Sequence, residues 1–278
     1  MGRKAIFFDI DGTLIDFRGH ISESTARALR EAKRRGHYIF LCSGRSRCMI
    51  DSRLTGMEFD GYICSSGAYV EYQGKVLHRS NIERGLLAWL IKYFEKHNMS
   101  YMLQLSDKIV SSPAADADFN EKMKSRDQED ADAIAKMASS RVVDDKVLEH
   151  LDDYPGVEKA CYHDADISLD AVKRDLADHF EITAMSFKNA TDSAGEITIQ
   201  GVNKAYGMQK LLDKLGLGRQ DVIAFGDGPN DFEMIEFAGV GVAMGNASDE
   251  LKRQADFVTL DVDNDGIQYG MEKLKLIS

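Results

Sequence analysis

The chain is poor in residues that punctuate or cross-link a backbone: 3 prolines, 4 cysteines and 1 tryptophan among 278 residues. So little proline, beside a hydrophobic fraction of 44%, excludes a long disordered segment and points to a packed globular chain. Cys42, Cys48, Cys64 and Cys161 contain no Cys-x-x-Cys pair, so they read as reduced core thiols of a cytoplasmic protein rather than a metal cluster or a disulfide framework. No apolar run approaches the ~18 residues needed to span a bilayer. The short apolar stretch before Asp9 is too brief for a signal-peptide core. Basic residues are in the minority, 35 Lys and Arg against 46 Asp and Glu, a formal charge of -11. That balance excludes sequence-independent coating of nucleic acid, which clustered basic residues drive. It does not exclude a small anion held by local charges.

What the chain does have is an alternation of short apolar runs with helical patterns. Ala5–Phe8, Tyr38–Cys42 and Gly61–Cys64 are runs of the kind that a parallel sheet covers on both faces. Ser22 is placed to cap a helix that carries Ala26, Leu29 and Ala32 and ends at Gly36. Strand, helix, strand in this order is a βαβ signature. From about Ile82 to Phe187 the style changes: Leu86, Leu87, Leu90, Ile91 and Phe94 fall at helical spacing, and residues 120–132 form a charged segment read as solvated. Near Glu196 short runs return, at Ile197–Ile199, Val222–Phe225, Gly239–Met244 and Asp256–Leu260, with a helix around Ala205–Leu215. The predicted organisation is α/β: a Rossmann-like parallel-sheet domain built from residues 1–81 and 188–278, interrupted by an inserted α/β domain over residues 82–187.

Four polar clusters stand where predicted strands end. They are Asp9-Ile10-Asp11-Gly12-Thr13, Ser43-Gly44-Arg45, Lys204 after Ile197–Ile199, and Gly226-Asp227-Gly228-Pro229-Asn230-Asp231. Open parallel sheets bind ligands at the carboxyl ends of their strands, so all four are expected at one site. Asp9, Asp11, Asp227 and Asp231 gathered there would repel one another, and buried unpaired carboxylates are costly. A hard divalent cation with oxygen ligands resolves the repulsion, and Mg2+ characteristically adds a substrate phosphate to a few carboxylates. Lys204, Ser43 and the N–H groups after Gly12 and Gly44 would then face an anion with charged oxygens.

These four clusters resemble the motifs of the haloacid dehalogenase-like hydrolases, and most nearly their Cof-type, sugar-phosphatase-like subfamily. Ser65-Ser66-Gly67-Ala68, Gly201-Val202-Asn203-Lys204 and Gly241-Val242-Ala243-Met244-Gly245-Asn246-Ala247 extend the likeness along the chain. Ser66 departs from it, since the subfamily usually has Asn before Gly-Ala. The resemblance implies a Mg2+-dependent phosphatase acting on a small phosphorylated metabolite, sugar phosphates first, with neither nucleic acid nor membrane as partner. It implies that Asp9 is the nucleophile and Asp11 the general acid and base. It places Mg2+ on the Asp9 carboxylate, the Asp11 carbonyl and Asp227. Ser43, the Gly44 N–H, Lys204 and Asn230 are implied at the phosphoryl group, and Asp231 and Thr13 in support. An acid two residues after the nucleophile disfavours dehalogenation. A phosphomutase using the same nucleophile and a non-catalytic phospho-ligand sensor are the alternatives. Ser43 to Lys204 exceeds by roughly 100 residues what one or two βα units of ~30 residues require. In the resembling subfamily such an insertion is a cap that carries substrate specificity.

Two weaker signals need an outcome. Asp261-Val262-Asp263-Asn264-Asp265-Gly266 with Glu272 satisfies a calcium-loop pattern, but a strand-like run precedes it and Gln268 occupies an aliphatic place. It reads instead as an acidic loop in which Asp265 caps a C-terminal helix over Gly266–Leu276. Trp89 is expected in the core of the inserted domain.

Overall fold

The computed structural model describes residues 2–124, 138–185 and 192–278. The predicted charged segment lies largely outside these residues, as does the predicted boundary at 187/188. The chain separates into two compact units, one of Met1–Gly44, Ser52–His78 and Asn203–Ser278, the other of Arg45–Asp51 and Arg79–Val202.

The first unit opens with β1 (Ala5–Phe8), β2 (Tyr38–Cys42) and β3 (Gly61–Cys64), on the three apolar runs. Every side chain of β1 is buried, so both of its faces need cover. Phe7 stacks on Phe40 with ring centroids 5.0 Å apart, and Phe8 stacks on Phe225 at 5.1 Å. Between β1 and β2 runs α1 (Glu23–Arg34). The Ser22 hydroxyl accepts the Thr25 N–H, Glu23 stands in the first turn, and Lys33 and Arg34 stand in the last, each favourable to the helix dipole. Replacing Ser22 by Ala is expected to cost ~1 kcal/mol. Urea unfolding followed by circular dichroism should show a lower midpoint with an unchanged slope. After β3 the chain reverses into β4 (Tyr69–Tyr72), antiparallel to β3, and β5 (Lys75–Arg79) takes the sheet edge.

The second unit holds its own sheet. Its strands are β6 (Ser100–Gln104), β7 (Ile109–Ser111), β8 (Arg141–Val143), β9 (Lys159–His163), β10 (Phe180–Ala184) and β11 (Gly195–Ile199). They lie in the order β10-β11-β9-β6-β7-β8, antiparallel except for β7 and β8. Helices α2 (Arg84–Lys96) and α3 (Leu169–Leu176) bury Leu87, Leu90, Ile91, Phe94, Val172 and Leu176 in one core with Leu103, Ala160, Tyr162 and Ile197. The apolar stripe of α2 thus falls at the spacing that one helical face demands. Trp89 is off that stripe. It is 41% exposed, with its ring edge toward His179, which corrects its expected place in the core.

β11 is a second correction. Residues 195–199 were expected in the parallel-sheet domain, yet they pair with β10 and β9, and Ile197 enters the core of the second unit. Backbone pairing with two antiparallel neighbours decides membership, and a five-residue alternating strand carries no mark of which sheet it will join.

The first unit then resumes with α4 (Lys204–Leu215), β12 (Val222–Gly226), α5 (Phe232–Phe237), β13 (Val240–Ala243), β14 (Phe257–Val258) and α6 (Gly266–Lys273). Its eight strands lie in the order β14-β13-β12-β1-β2-β3-β4-β5 and are parallel from β14 through β3. Met208, Leu211 and Leu212 of α4 and Met234 and Ile235 of α5 pack on Phe7, Phe40, Ile63 and Ala224 of this sheet. The architecture is therefore α/β, a Rossmann-like parallel sheet whose chain is interrupted by a second α/β unit.

The acidic loop before α6 does not converge on a centre. The Asp261 carboxylate accepts the Asp263 N–H, and Glu272 accepts the Gln268 amide on the helix surface. Asp265 occupies the N-cap position of α6, but its carboxylate is taken by the Ser24 hydroxyl rather than by the helix. All four cysteines are buried and none is in a disulfide. Among the described residues no helix is long and apolar enough to cross a membrane.

Candidate active site

Because β1, β2, β12 and β13 run parallel, the loops that follow them emerge at one edge of the sheet. Asp9 comes directly after β1, its N–H donating to the Phe225 carbonyl on β12 at 3.0 Å. The chain then doubles back, with Leu14 and Ile15 N–H both donating to the Ile10 carbonyl. Gly12 sits inside this bend at φ 83, and a Cβ there would come within 2.2 Å of an Asp227 carboxylate oxygen. Only glycine lets the backbone approach that close.

Lys204, at the first turn of α4, reaches into the same edge. It is 1% exposed. Its ammonium donates to Asp9 Oδ1 and to Asp231 Oδ1, both at 2.6 Å. The other oxygen of Asp231 accepts the N–H groups of Asp227 and Gly228, at 3.0 and 2.9 Å. Asp227 in turn accepts the Thr13 hydroxyl at 2.8 Å and the Asn246 amide at 3.2 Å. The same Asn246 amide donates to the Gly12 carbonyl at 2.8 Å, and its Oδ1 accepts the Val262 N–H at 3.0 Å. One network therefore joins Asp9, Lys204, Asp231, Asp227, Thr13 and Asn246.

Asp11 is exposed two residues beyond Asp9. Ser43, buried, and Gly44, half-buried, follow β2, the Ser43 N–H donating to the Ile63 carbonyl at 2.9 Å. Asn230 is half-buried in the turn after β12. All the expected site residues thus stand at the carboxyl edge of the sheet. Lys204 stands at a helix start, as expected, but the strand before it, β11, belongs to the second unit rather than to this sheet. Asn246 was quoted only for resemblance and given no role. The signal for it was positional, since it follows β13 in the manner of the other clusters.

The electrostatics are those of crowded carboxylates with one cation. Burial pushes the Asp9 carboxyl well above the usual range, Lys204 opposing it and Asp231 and Asp11 adding to it. Burial, then the neighbouring Asp9 and Asp231, push Asp227 up to about 8. For Lys204 burial works against the charge, yet Asp231 and Asp9 hold it above the ordinary lysine range. One oxygen from each of Asp9, Asp227 and Asp231 lies within 4.8 Å of the others. Such an all-oxygen set suits a hard cation. Asp231 accepts three of these hydrogen bonds, Asp227 two and Asp9 one, so Asp9 and Asp227 keep more acceptor capacity for a metal.

A parallel sheet with an aspartate after its central strand and a buried lysine bridging that aspartate to a second carboxylate defines a hydrolase architecture built to handle a charged oxyanion. The family model for haloacid dehalogenase-like hydrolase matches residues 6–271, and the chain belongs to that family, in its Cof-type branch. The 5-amino-6-(5-phospho-D-ribitylamino)uracil phosphatase YitU of Bacillus subtilis is 30% identical over 94% of this chain and 94% of its own. The haloacid dehalogenase subclass IIB sugar phosphatase BT4131 superposes with a TM-score of 0.81 at 27% identity, covering 99% of this chain and all of that one. A hypothetical protein from Geobacillus kaustophilus does so with a TM-score of 0.81 at 31% identity, covering 99% of this chain and all of its own. The chain is a phosphatase of the phosphoric monoester hydrolase class.

Proposed function

We propose that this enzyme hydrolyses small phosphomonoesters, sugar and sugar-alcohol phosphates first, with Mg2+ as cofactor and an aspartyl phosphate on Asp9 as intermediate. The observation that carries the reading is the Lys204 ammonium held 2.6 Å from both Asp9 and Asp231. It leaves the nucleophile beside a fixed positive charge, where the oxygens of an incoming phosphoryl group would gather. The sugar preference comes from the names of YitU and BT4131, whose substrates carry a phosphorylated ribityl chain or a sugar. Four cysteines without a disulfide suit a reducing compartment, and the cytoplasm is the proposed location.

In the first step an Asp9 oxygen attacks phosphorus and the ester P–O bond breaks. The Asp11 carboxyl gives its proton to the departing alkoxide. Ser43, the Gly44 N–H and Lys204 hold the phosphoryl oxygens, with Asn230 beside them. In the second step the Asp11 carboxylate takes a proton from water as the water oxygen attacks the same phosphorus. The P–O bond to Asp9 then breaks, giving inorganic phosphate and the original carboxylate. Asp9 is buried and Asp11 exposed, and the division of roles between them is the one the family resemblance implies. Asp9 and Asp227, with the Asp11 carbonyl, would hold Mg2+, which when bound neutralises the carboxylates and the phosphate. Asp231 and Thr13 orient Lys204 and Asp227. The inserted unit is assigned substrate specificity.

The test is a screen of metabolite phosphates for inorganic phosphate release with and without Mg2+. Stoichiometric phosphate from a single hexose phosphate is expected. Isomerisation without phosphate release would replace hydrolysis by mutase chemistry, and binding without turnover would make the protein a sensor.

Metal and proton should compete at this site. Metal requires an ionised Asp227, whose pKa is raised to about 8, so Mg2+ uptake releases protons below that pH. Apparent affinity should rise by up to about tenfold per pH unit toward pH 8 and level off above it. Calorimetric titration in buffers of different ionisation enthalpy measures the released protons, and pH-independent affinity would contradict the assignment. In the metal-free protein the raised carboxyl destabilises the fold as pH climbs from the ordinary carboxylate range through about 8, since unfolding lets Asp227 ionise in water. Asp227→Asn should flatten that decline.

A further inference from the structure

Between β3 and β4 the residues Ser65, Ser66 and Gly67 occupy the left-handed region in succession, at φ 49, 55 and 103. Two of these three carry side chains, and such a run persists only where its surroundings over-determine it. On one side the Ser66 N–H donates to the Ser43 carbonyl at 3.0 Å. On the other, Gly67 lies against the start of α4: a Cβ on Gly67 would come within 2.0 Å of the Asn203 carbonyl oxygen. One turn further along α4, a Cβ on Gly207 would meet Ile63 Cγ2 at 2.6 Å and Gly67 Cα at 3.1 Å. Asn203 and Gly207 are four apart and share a helix face. Asn203 also caps α4, its Oδ1 accepting the Tyr206 N–H at 3.0 Å, and Lys204 is the next residue.

We propose that the Ser65–Gly67 turn is a positioning element for phosphoryl transfer. Its glycine contact with α4 sets where the Lys204 ammonium stands, and its bond to Ser43 sets the strand end that carries Ser43 and Gly44. The turn acts through those residues. It rests on the reading of Lys204 as the group that holds the phosphoryl oxygens. The two ammonium bonds at 2.6 Å leave little slack in a side chain that is fully buried. A Cβ at position 67 needs the helix start to retreat by more than about 1 Å, a displacement that can cost ~100-fold when it reaches a reacting group.

Gly67→Ala is therefore expected to lower kcat for p-nitrophenyl phosphate by about 100-fold with KM within about threefold, and Gly207→Ala by about tenfold. The smaller effect follows from the nearest obstacle to Gly207, a side-chain methyl that can turn aside, whereas Gly67 meets backbone. Gly241→Ala is the control: its Cβ meets the Ile235 carbonyl at 2.5 Å, so it lowers the melting temperature, but it should leave kcat within about twofold. A folded Gly67→Ala enzyme with kcat near the parent's overturns the proposal. Should that variant fail to fold, Gly207→Ala decides, and an unchanged kcat there overturns it. An equal loss of kcat in Gly241→Ala also overturns it, since the effect would then track stability alone. Lys204→Ala separates the two levels. Full activity in that variant defeats the functional reading itself, whereas an inactive Lys204→Ala beside a fully active Gly67→Ala defeats only the positioning role.

Discussion

Asp9→Asn is expected to abolish Mg2+-dependent hydrolysis of p-nitrophenyl phosphate, a loss of about 10^4- to 10^6-fold, the scale on which removing a covalent nucleophile acts. The protein should meanwhile be no less stable. Burial raises the folded-state pKa of the Asp9 carboxyl, so its ionised form at neutral pH is a burden on the metal-free fold. The contribution of a raised carboxyl is favourable below the unfolded pKa and is lost as pH rises through the folded value. A neutral amide of the same shape keeps an oxygen for the Lys204 ammonium and removes that burden. At pH 8 without Mg2+ the melting temperature of the variant should equal or exceed the parent's, and at pH 4 the difference should vanish. Activity lost together with the fold would leave the nucleophile unassigned, and full activity in a folded variant would defeat the aspartyl-phosphate mechanism.

Much of this was readable because buried parallel strands have little freedom of composition. β1, β2 and β3 begin and end on the apolar runs that announced them, since a strand covered on both faces admits no polar residue. The polar residues that follow then mark the edge where ligands bind, which is why Asp9, Ser43 and Asp227 could be placed before any coordinates. β4 and β5 were missed. β4 runs antiparallel to β3, β5 lies at the sheet edge, and the exposed residues of β5 give no apolar run to detect. β11 was found as a strand but given to the wrong sheet, because pairing partners are a long-range property that Gly195–Ile199 does not encode locally. Trp89 shows the same limit on a helix: an aromatic next to a core stripe need not lie on it.

Within the site, residue types were more legible than partnerships. Asp231 was expected in support of the metal. Its oxygens lie in the same carboxylate cluster and are divided between Lys204 and two backbone N–H groups, a division that spacing does not reveal. Asn246 escaped assignment because an amide in a loop has many uses, and only its simultaneous bonds to the Gly12 carbonyl, Asp227 and Val262 give it one. Ser66 looked like a mere departure from the subfamily. Its left-handed backbone explains why Asn is usual at that place, for Asn tolerates this region better than serine does.

Lys204→Ala carries the second large effect, and it should strike stability and activity together. The ammonium is the cation that pairs with both Asp9 and Asp231, and Asp231 is 0% exposed. Removing one partner of a buried pair leaves an uncompensated charge and costs about 3–5 kcal/mol. Loss of a preorganised donor at a developing oxyanion adds about 10^2- to 10^3-fold in kcat. Lys204→Arg should not rescue, because a planar fork cannot replace a point charge held 2.6 Å from two carboxylates in a filled space. The stability deficit has a sign in pH. Without the lysine the Asp9 carboxyl loses the charge that opposes its rise, so the variant is least impaired in acid and worsens as pH rises. Pairing the change with Asp231→Asn separates the two consequences. The double variant discards the stranded carboxylate, so chemical denaturation should show much of the lost stability restored, while kcat stays about 10^2- to 10^3-fold down because the ammonium is still missing from the phosphoryl oxygens. Recovery of activity with stability would mean that Lys204 serves only to neutralise Asp231, and the phosphoryl clamp would have to be sought among Ser43, Gly44 and Asn230.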